Sequence, residues 1–341
     1  ETLDLALDTR GSGVALWSAP PLSGSLEDSP PLSTLHRGDP DHQAAHAACP
    51  WLVIWDDHEV DNDYADDRPE DGMERADFLL RRAAAYRAYY EHMPLPERMR
   101  PKGPDLRLHT QIGWGSLARI YMLDTRQYKS SQACPRPQRR GGSNTLDVKK
   151  CPRLDAPGRS MLGRAQERWL EGALGDSAAG WNVVAQTTRM ARFDQKPGPG
   201  RSAWTDAWDG YPAARARLLA QMKQTSNPVV TGGDIHSFMV AQLKEDFDDP
   251  DSETIGSEFV ATSISSNGDG EDAKKSRAPI AEANPHIAFY NGQRGYLRCV
   301  VKPETWRTDF RVVPYVSKPG APVSTRASFV VERSLREMAR G

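Results

Sequence analysis

The sequence has no long apolar run and no excess of basic residues, and these absences argue against two classes of protein. No stretch approaches the roughly 18 consecutive apolar residues that a membrane-spanning helix needs, so we expect no transmembrane segment. Lys and Arg number 44 against 46 Asp and Glu over 341 residues. Without a basic excess there is no electrostatic basis for general binding to nucleic acid or to anionic membranes, and we expect no stable nucleic-acid complex.

Cysteine is scarce, which excludes a disulfide scaffold and the common cysteine motifs. Cys49, Cys134, Cys151 and Cys299 include no C-x-x-C pair, so neither a zinc ribbon nor a thioredoxin-type redox motif is present. Cys134 and Cys151 flank a loop, residues 135–150, that is rich in Pro, Gly, Arg and Lys and has little apolar content to order it. The sequence leaves two interpretations open for this pair: a disulfide that closes the loop, or two reduced thiols.

From His36 onward, the alternation of apolar runs and amphipathic stretches predicts an α/β protein. The preceding residues 9–33 are rich in Ser, Pro, Gly and Leu and have no sustained period, which predicts irregular chain. We expect helices at residues 43–48, 73–92, 163–174 and 212–223. We expect strands at residues 51–55, 117–123, 181–185, 228–231, 259–264, 296–301, 310–313 and 328–331.

Polar side chains that can bind metal directly follow two of the predicted strands. Residues 56–63 (Asp-Asp-His-Glu-Val-Asp-Asn-Asp) come after the apolar run 51–55, and Asp234-Ile235-His236 comes after the strand at 228–231. Ligands of open α/β sheets bind at the carboxyl ends of strands. In an extended segment, Asp234 and His236 lie on one face and can reach one ion together. Carboxylate with imidazole suits zinc, iron or manganese, whereas carboxylates alone suit calcium or magnesium.

Each of these clusters also has an interpretation without metal. The triplet Asp234-Ile235-His236 is typical of a solvated turn as well. The acidic run at 56–63 is typical of a helix N-terminus, where the helix dipole favours negative charge. Asp124 and Arg126 stand at the end of a third predicted strand. Three polar groups at the strand ends of one chain favour a metal site over separate structural roles.

Several motifs, taken in order along the chain, resemble those of the PhoD-like alkaline phosphatases, a branch of the calcineurin-like metallophosphoesterases. The resemblance extends over residues 36–301, and the occurrence of these motifs in one order is highly specific. They are Trp55-Asp56-Asp57-His58-Glu59-Val60, Leu123-Asp124-Thr125-Arg126-Gln127-Tyr128, Trp208-Asp209-Gly210-Tyr211-Pro212, Gly233-Asp234-Ile235-His236-Ser237, Glu258-Phe259, Thr262-Ser263, Asn284-Pro285-His286 and Arg294-Gly295-Tyr296.

The resemblance implies a four-layer α/β/β/α metallophosphoesterase sandwich over residues 36–341, with an irregular segment, 1–35, in place of the family's first metal-binding motifs. Members of this family hydrolyse phosphomonoesters and phosphodiesters, use ferric iron (Fe3+) with calcium (Ca2+), and are usually exported through the twin-arginine route. We therefore expect a phosphate-ester substrate, these two metals, and a periplasmic or extracellular location. Residues 1–8 carry no signal-peptide pattern, as would also be true of a processed chain. No particular oligomeric state is predicted.

The matching motifs imply roles for individual residues. Asp57, Asp234 and His236 take the places of metal ligands, and His58 takes that of the catalytic histidine. The implied mechanism is in-line attack on phosphorus by a metal-activated hydroxide. In it, His58 stabilises the developing charge or protonates the leaving oxygen.

Three further residues are assigned less directly. Arg126 is expected either to contact the phosphate through two hydrogen bonds or to pair with Asp124 or a neighbouring carboxylate. Asn62 is an alternative calcium ligand in the first loop. His286 is expected to be structural.

The sequence departs from the family in its first part. Members carry a Ser-Cys pair, whose Cys binds iron, and a Gly-Asp-Tyr-x-Tyr-Glu loop, whose Asp bridges the ions and whose second Tyr binds iron. Neither is in this sequence. Residues 1–7 resemble the strand before that loop, but Asp8 follows without the flanking Gly and Tyr and is a poor substitute. A site without its bridging carboxylate and its thiolate holds metal poorly, so we expect weak or no activity from this polypeptide.

A second class of function is a catalytically impaired homologue that binds calcium or a partner and keeps the sandwich as a scaffold. Its calcium sites would be the acidic loops 246–253 and 267–272, which are otherwise expected to be solvated loops. A serine hydrolase or a nucleotide-binding protein finds little support, because the sequence has neither a G-x-S-x-G elbow nor a G-x-x-x-x-G-K-[ST] loop.

Overall fold

The computed structural model describes residues 3–7, 38–196, 199–272, 282–336 and 338–341. Its helices are α1 (Pro40–Ala48), α2 (Arg75–His92), α3 (Gly163–Gly175) and α4 (Pro212–Lys223). Its strands are β1 (Leu3–Leu7), β2 (Thr110–Trp114), β3 (Ala118–Met122), β4 (Thr145–Asp147), β5 (Trp181–Ala185), β6 (Ser202–Trp204), β7 (Pro228–Gly232), β8 (Phe238–Lys244), β9 (Thr254–Val260), β10 (Ile287–Asn291), β11 (Arg294–Val301), β12 (Thr305–Val313), β13 (Ser324–Glu332) and β14 (Met338–Arg340). The predicted irregular stretch 9–33 and Asp8 lie outside the described residues.

Two large sheets form the frame of the molecule. The seven-stranded sheet has the order β10-β8-β9-β7-β5-β3-β2, in which β3, β5, β7 and β9 pair in parallel and the other pairs are antiparallel. The five-stranded sheet, β1-β11-β12-β13-β14, is antiparallel throughout. Parallel neighbours need crossover connections, and α3 and α4 supply them between β3 and β5 and between β5 and β7.

The two sheets pack face to face around a shared apolar core. Trp181 of β5 contacts the other sheet in two ways. Its ring centroid lies 6.0 Å from that of Trp306 in β12, and its indole N–H donates to the carbonyl of Lys302 at 2.8 Å. Val183 of the same strand faces this core, whereas Val184 faces the second core beneath α3 and α4. Helices, seven-stranded sheet and five-stranded sheet are thus successive layers, and the predicted α/β sandwich is confirmed.

Most of the predicted elements are present within a few residues of their predicted bounds. The helices predicted at 163–174 and 212–223 are α3 and α4, and the strand predicted at 181–185 is β5. The strand predicted at 259–264 is wrong in its placement, because β9 ends at Val260. Beyond it, the Ala261 N–H donates to the carbonyl of Gly232 at 2.8 Å, while Thr262 and Ser263 stay buried outside the ladder.

The strand predicted at residues 51–55 is wrong, because this segment is irregular. Only its last three residues belong to a third core, which packs against α2, and of these Ile54 also contacts the core between the sheets. Trp55 stacks on Tyr86 of that helix with ring centroids 4.0 Å apart. The apolar run therefore correctly predicts that part of this segment is buried. It does not predict correctly that the segment is a strand with hydrogen-bonded neighbours.

The cysteine pair that the sequence left open is a disulfide. Cys134 and Cys151 are bonded, with their Cα atoms 6.3 Å apart, and close the loop that contains β4. Cys49 is exposed, Cys299 is buried, and both are free thiols. In the described part of the chain, no helix combines the length and the apolar character needed to cross a bilayer.

Candidate metal centre

Four loops meet at one edge of the seven-stranded sheet. They are residues 56–63, which follow the irregular apolar run, and the segments 124–126, 186–188 and 233–236, which follow β3, β5 and β7. Because these three strands are parallel neighbours, their carboxyl ends lie at the same edge, where open α/β sheets bind ligands. The strand-end argument made from the sequence therefore holds for β3 and β7, but not for residues 51–55, which form no strand.

Asp57 accepts several backbone hydrogen bonds within the 56–63 loop and so fixes its conformation. One of its carboxylate oxygens accepts the His58 N–H at 2.7 Å and the other accepts the Asp63 N–H at 2.8 Å. Its carbonyl accepts the N–H groups of Val60 and Asp61, both at 2.8 Å, which makes a turn rather than a helix start. Burial opposes ionisation, but Arg126 and His58 outweigh it and lower the pKa of Asp57. Asp57 is thus a buried carboxylate that stays ionised.

Arg126 pairs with carboxylates, which is one of the two alternatives that the sequence left open. It is 1% exposed, and its Nε lies 2.6 Å from Asp56, one Nη lies 2.7 Å from Asp206, and the other lies 3.7 Å from Asp57. Asp124 instead accepts the backbone N–H of Arg126 at 2.9 Å. The guanidinium therefore ties the 56–63 loop to the loop before α4, and a direct phosphate contact stays a prediction.

Asp206 is a site residue that the sequence analysis missed, although it stands two residues before a quoted motif. It has no exposed surface, and its carboxylate accepts hydrogen bonds from Lys129 at 2.6 Å and from Gln132 at 2.7 Å. Burial is outweighed by Arg126 and Lys129, which hold the pKa of Asp206 below its usual range. Carboxylate oxygens of Asp57, Asp63 and Asp206 lie within 4.8 Å of one another.

Asp234 and His236 lie in a tight turn, not in an extended segment. The Ile235 N–H donates to the carbonyl of Gly233 at 2.8 Å across Asp234, and φ is +70° at Asp234 and +50° at His236. The expectation that an extended backbone aligns these two side chains is therefore wrong. Left-handed backbone at residues other than glycine is sparsely populated, and it is concentrated at functional sites.

The two predicted ligand loops act on each other although they are far apart in the chain. Burial, Arg294 and His58 lower the pKa of His236, and Asp57 opposes them. Burial and the carboxylate of Asp56 raise the pKa of Asp234 well above its usual range. Asp57, His58, Asp234 and His236 therefore share one electrostatic environment.

The charges at this edge fit a bound cation. The predicted ligands Asp57, Asp234 and His236 would together offer two carboxylates and an imidazole, which suit iron, zinc or manganese. The buried or half-buried carboxylates here outnumber the cationic side chains; the carboxylates are Asp56, Asp57, Asp63, Asp206 and Asp234, and the cations are Arg126, Lys129 and Arg294. Burial, and then the carboxylates of Asp56 and Asp57, raise the pKa of Asp234 against the effect of Arg126, and a bound cation would favour its ionised form.

Comparison with known proteins identifies the family. The family model described as PhoD-like phosphatase matches residues 32–310, which is most of the chain. The chain belongs to the PhoD-like phosphatase family. It is 44% identical over 313 residues to alkaline phosphatase D of Bacillus subtilis strain 168, covering 91% of this chain and 52% of that protein.

A solved PhoD structure has the same fold as this PhoD-like chain. The TM-score is 0.87 at 42% identity, covering 93% of this chain and 59% of the other. The predicted family and fold class are thereby confirmed. The chain spans between one half and two thirds of the length of these relatives.

The other predicted positions of this PhoD-like chain have structural partners. Asn62 donates to Glu70 at 2.8 Å. The imidazole of His286 contacts the carbonyl of Arg192 at 2.7 Å, and burial lowers its pKa to about 4, consistent with a structural role. Arg294, from the quoted motif, donates to the carbonyls of His236 at 3.0 Å and Gly268 at 2.9 Å and so joins two loops of the site.

The acidic surface loops use their carboxylates within the protein. Asp269 accepts the N–H groups of Val316 at 2.6 Å and Ser317 at 2.8 Å. In the other loop, Asp246 accepts the N–H of Asp248 at 2.8 Å. These bonds support the interpretation as ordinary surface loops rather than calcium sites.

Proposed function

We propose that this chain is a metal-dependent hydrolase of phosphate monoesters or diesters, of the alkaline phosphatase D type, with its site at the carboxyl edge of β3, β5 and β7. The observation that supports the proposal is the electrostatic interaction of Asp57 with Asp234 and His236, at an edge where carboxylates exceed cations. Membership of the PhoD-like family and the identity to alkaline phosphatase D support the same activity.

Asp57, Asp234 and His236 would hold the metal ions, for which we propose Fe3+ and Ca2+. When bound, these ions would polarise the phosphoryl oxygens and lower the pKa of a bound water, so that hydroxide is available near neutral pH. The carboxylates that surround them offer oxygen donors for calcium, and His236 offers the nitrogen donor that favours iron. The protein's part would be to hold these donors in position and to favour the ionised form of Asp57, while Asp234 would ionise with the cation bound.

His58 is the residue that we propose as the catalytic acid. It is half-buried, directly follows Asp57, and acts electrostatically on both Asp57 and His236. In this position a protonated imidazole stabilises negative charge that develops on the substrate, or gives a proton to the leaving oxygen.

Arg126 is proposed to act on the substrate mainly through the carboxylates that it holds. Its side chain is 1% exposed and is engaged by Asp56 and Asp206 at 2.6 and 2.7 Å. A direct contact with a phosphate would require one of these pairs to open. We therefore propose that Arg126 favours the ionised forms of Asp56 and Asp57 against the burial that opposes them.

We also propose a periplasmic or extracellular location. The disulfide between Cys134 and Cys151 supports it, because structural disulfides persist in oxidising compartments. The proposed domain is residues 36–341, to which we add β1 (Leu3–Leu7), because it pairs with β11 in the five-stranded sheet.

The test combines metal analysis with hydrolysis assays on the purified chain. Bis-p-nitrophenyl phosphate and p-nitrophenyl phosphate report diesterase and monoesterase activity, and mass spectrometry reports bound iron and calcium. We expect His236→Ala to lose bound iron and to reduce turnover by more than about 100-fold, because it removes a ligand outright. His92→Ala, at a half-buried histidine on α2 that contacts the carbonyl of Ala88, is the matched control and should keep both.

Two outcomes would contradict the proposal. Full activity of His236→Ala with normal metal content would remove His236 from the site. Calcium without iron in the wild-type chain, together with no hydrolysis of either ester, would favour the calcium-binding alternative over an enzyme.

A further inference from the structure

The loop that follows β5, Gln186-Thr187-Thr188, contacts both loops that carry the proposed metal ligands. The carbonyl of Thr187 accepts the Gly233 N–H at 2.9 Å, so this loop continues the parallel pairing beyond the end of β7. Gly232 approaches it so closely that a Cβ there would lie 2.0 Å from the carbonyl oxygen of Thr188. The loop is therefore built against the start of the Asp234 turn, with no room for a side chain between them.

Thr187 connects the same loop to the first ligand loop. Its hydroxyl donates to Asp56 at 3.1 Å and lies 2.5 Å from the hydroxyl of Thr125 in the loop after β3. The loop after β5 thus joins the loops on either side of it in the sheet.

Thr188 makes a direct bond to a proposed ligand. Its hydroxyl lies 2.7 Å from a carboxylate oxygen of Asp234, and it must be the donor while that carboxylate is ionised. Thr188 is 2% exposed, and its own backbone is fixed, because its N–H donates to the side chain of Gln186 at 3.2 Å and its carbonyl accepts from the same side chain. Gln186 is in turn held by the indole N–H of Trp208 at 3.2 Å.

We propose that Thr188 is a positioning residue, whose hydroxyl fixes the Asp234 carboxylate so that it faces the same cation as His236. The bond matters because Asp234 lies in a turn at φ +70°, where no helix or sheet ladder sets the direction of its side chain. Because the Thr188 hydroxyl is fixed and bonds to one oxygen of Asp234, it restricts rotation of that carboxylate before the metal binds. The proposal rests on the metal site of the proposed function.

The experiment measures binding of Mn2+ alone to the metal-stripped chain by isothermal titration calorimetry, with hydrolysis of bis-p-nitrophenyl phosphate as a second readout. Thr188→Val removes the donor at nearly constant volume, and Thr188→Ala removes it without placing a second methyl against the carboxylate. Groups that orient a metal ligand typically change affinity 10- to 100-fold, so we expect both variants to weaken Mn2+ binding by about tenfold or more. Thr188→Ser keeps the hydroxyl and should restore binding to within about threefold of wild type.

Thr225→Val is the matched control. Thr225 is also a buried threonine, and its hydroxyl donates to the carbonyl of Gln221 at 3.0 Å at the end of α4. It should lower the melting temperature about as much as Thr188→Val while leaving Mn2+ affinity unchanged.

The outcomes separate this proposal from the proposed function. If Asp234→Asn abolishes Mn2+ binding but Thr188→Val and Thr188→Ala bind as wild type does, the positioning role is overturned and the metal site stands. If Asp234→Asn binds Mn2+ like wild type, the metal site itself is wrong. Equal loss of affinity in Thr225→Val would show that the effect of Thr188 is general destabilisation, which also overturns the proposal.

Discussion

Glu258 in β9 is a buried acid that contacts the loop after β5 and that the proposed mechanism does not use. It has no exposed surface, and its two carboxylate oxygens accept the backbone N–H groups of Met190 at 2.5 Å and Ala191 at 2.7 Å. Burial raises its pKa to about 7, although these two bonds and the nearby Arg189 and Arg215 oppose the rise. The carboxyl therefore supports the loop after β5 but resists ionisation.

Replacing Glu258 by Gln should change how stability depends on pH. A carboxyl whose pKa is higher in the folded state than its ordinary 4.5 contributes stability that is fully present below pH 4.5 and is lost as the pH rises through about 7. The free energy of unfolding of wild type, relative to Glu258→Gln, should thus fall by up to about 3 kcal/mol between pH 4.5 and pH 8. Loss of one acceptor for the backbone adds a cost that does not vary with pH.

Urea unfolding at a series of pH values measures this difference. Glu245→Gln is the control, because Glu245 is exposed and pairs with Lys223 on the surface. A constant difference between wild type and Glu258→Gln across this pH range would show that Glu258 ionises normally in the fold.

The site residues divide into those that have a local signal in the sequence and those that do not. Asp234 and His236 follow β7, so the rule that ligands bind at strand ends finds them. The same rule selected Asp57, although the apolar run before it is not a strand. Thr188 follows the correctly predicted strand at 181–185 and was within reach of the same rule, but threonine is an ordinary residue in a turn. Asp206 has no such signal, because its role depends on pairing with Arg126 and Lys129 from a distant part of the chain.

Two apolar runs of five residues show where prediction of elements fails. Residues 181–185 form β5, with parallel partners on both sides, whereas residues 51–55 form no strand. The first run is almost wholly buried, whereas in the second Leu52 is exposed and the buried Trp55 packs against α2. An apolar composition favours burial. Only the tertiary arrangement determines whether a neighbouring strand is present to form backbone hydrogen bonds with the run.

The disulfide-closed loop is an element whose removal should affect both stability and the site. From this loop, the Ser143 N–H donates to the carboxylate of Asp63 at 3.1 Å, and β4 pairs with β6 just before Asp206. Chain-entropy arguments assign about 3 kcal/mol to a disulfide that closes a loop of this size. For the double variant Cys134→Ala/Cys151→Ala we expect a melting temperature lower by about 4 °C.

Differential scanning calorimetry in the absence of reductant measures this change. The control is Cys49→Ala, which removes an exposed free thiol and should leave the transition in place. A double variant that melts with wild type would mean that β4, β6 and the hydrogen bonds of the loop hold it without the covalent bond.

At the scale of the whole molecule, the proposed metal centre lies between two segments, the 56–63 loop and the turn after β7. Within the described residues, no strand pairing connects these two segments directly. The 56–63 loop belongs to the core that packs on α2, while Asp234 and His236 follow the central strand β7. The sheets themselves are joined by apolar packing centred on Trp181 and Trp306. A cation shared by the two ligand loops would therefore link the α2 region to the main sheet, and its carboxylate neighbours would otherwise repel each other.

Metal removal should consequently lower the stability of the whole fold. A ligand that binds only the folded state at 100 times its dissociation constant stabilises that state by about 2.7 kcal/mol, which is about 4 °C in melting temperature for a chain of this length. We expect added Mn2+ to raise the melting temperature of the metal-stripped wild type by about this amount and to leave that of Asp234→Asn unchanged. Asp249→Asn, in the exposed acidic loop, is the control and should respond as wild type does. If Asp234→Asn gains as much stability from Mn2+ as wild type, the stabilising ion binds elsewhere, and the two ligand loops do not share a cation.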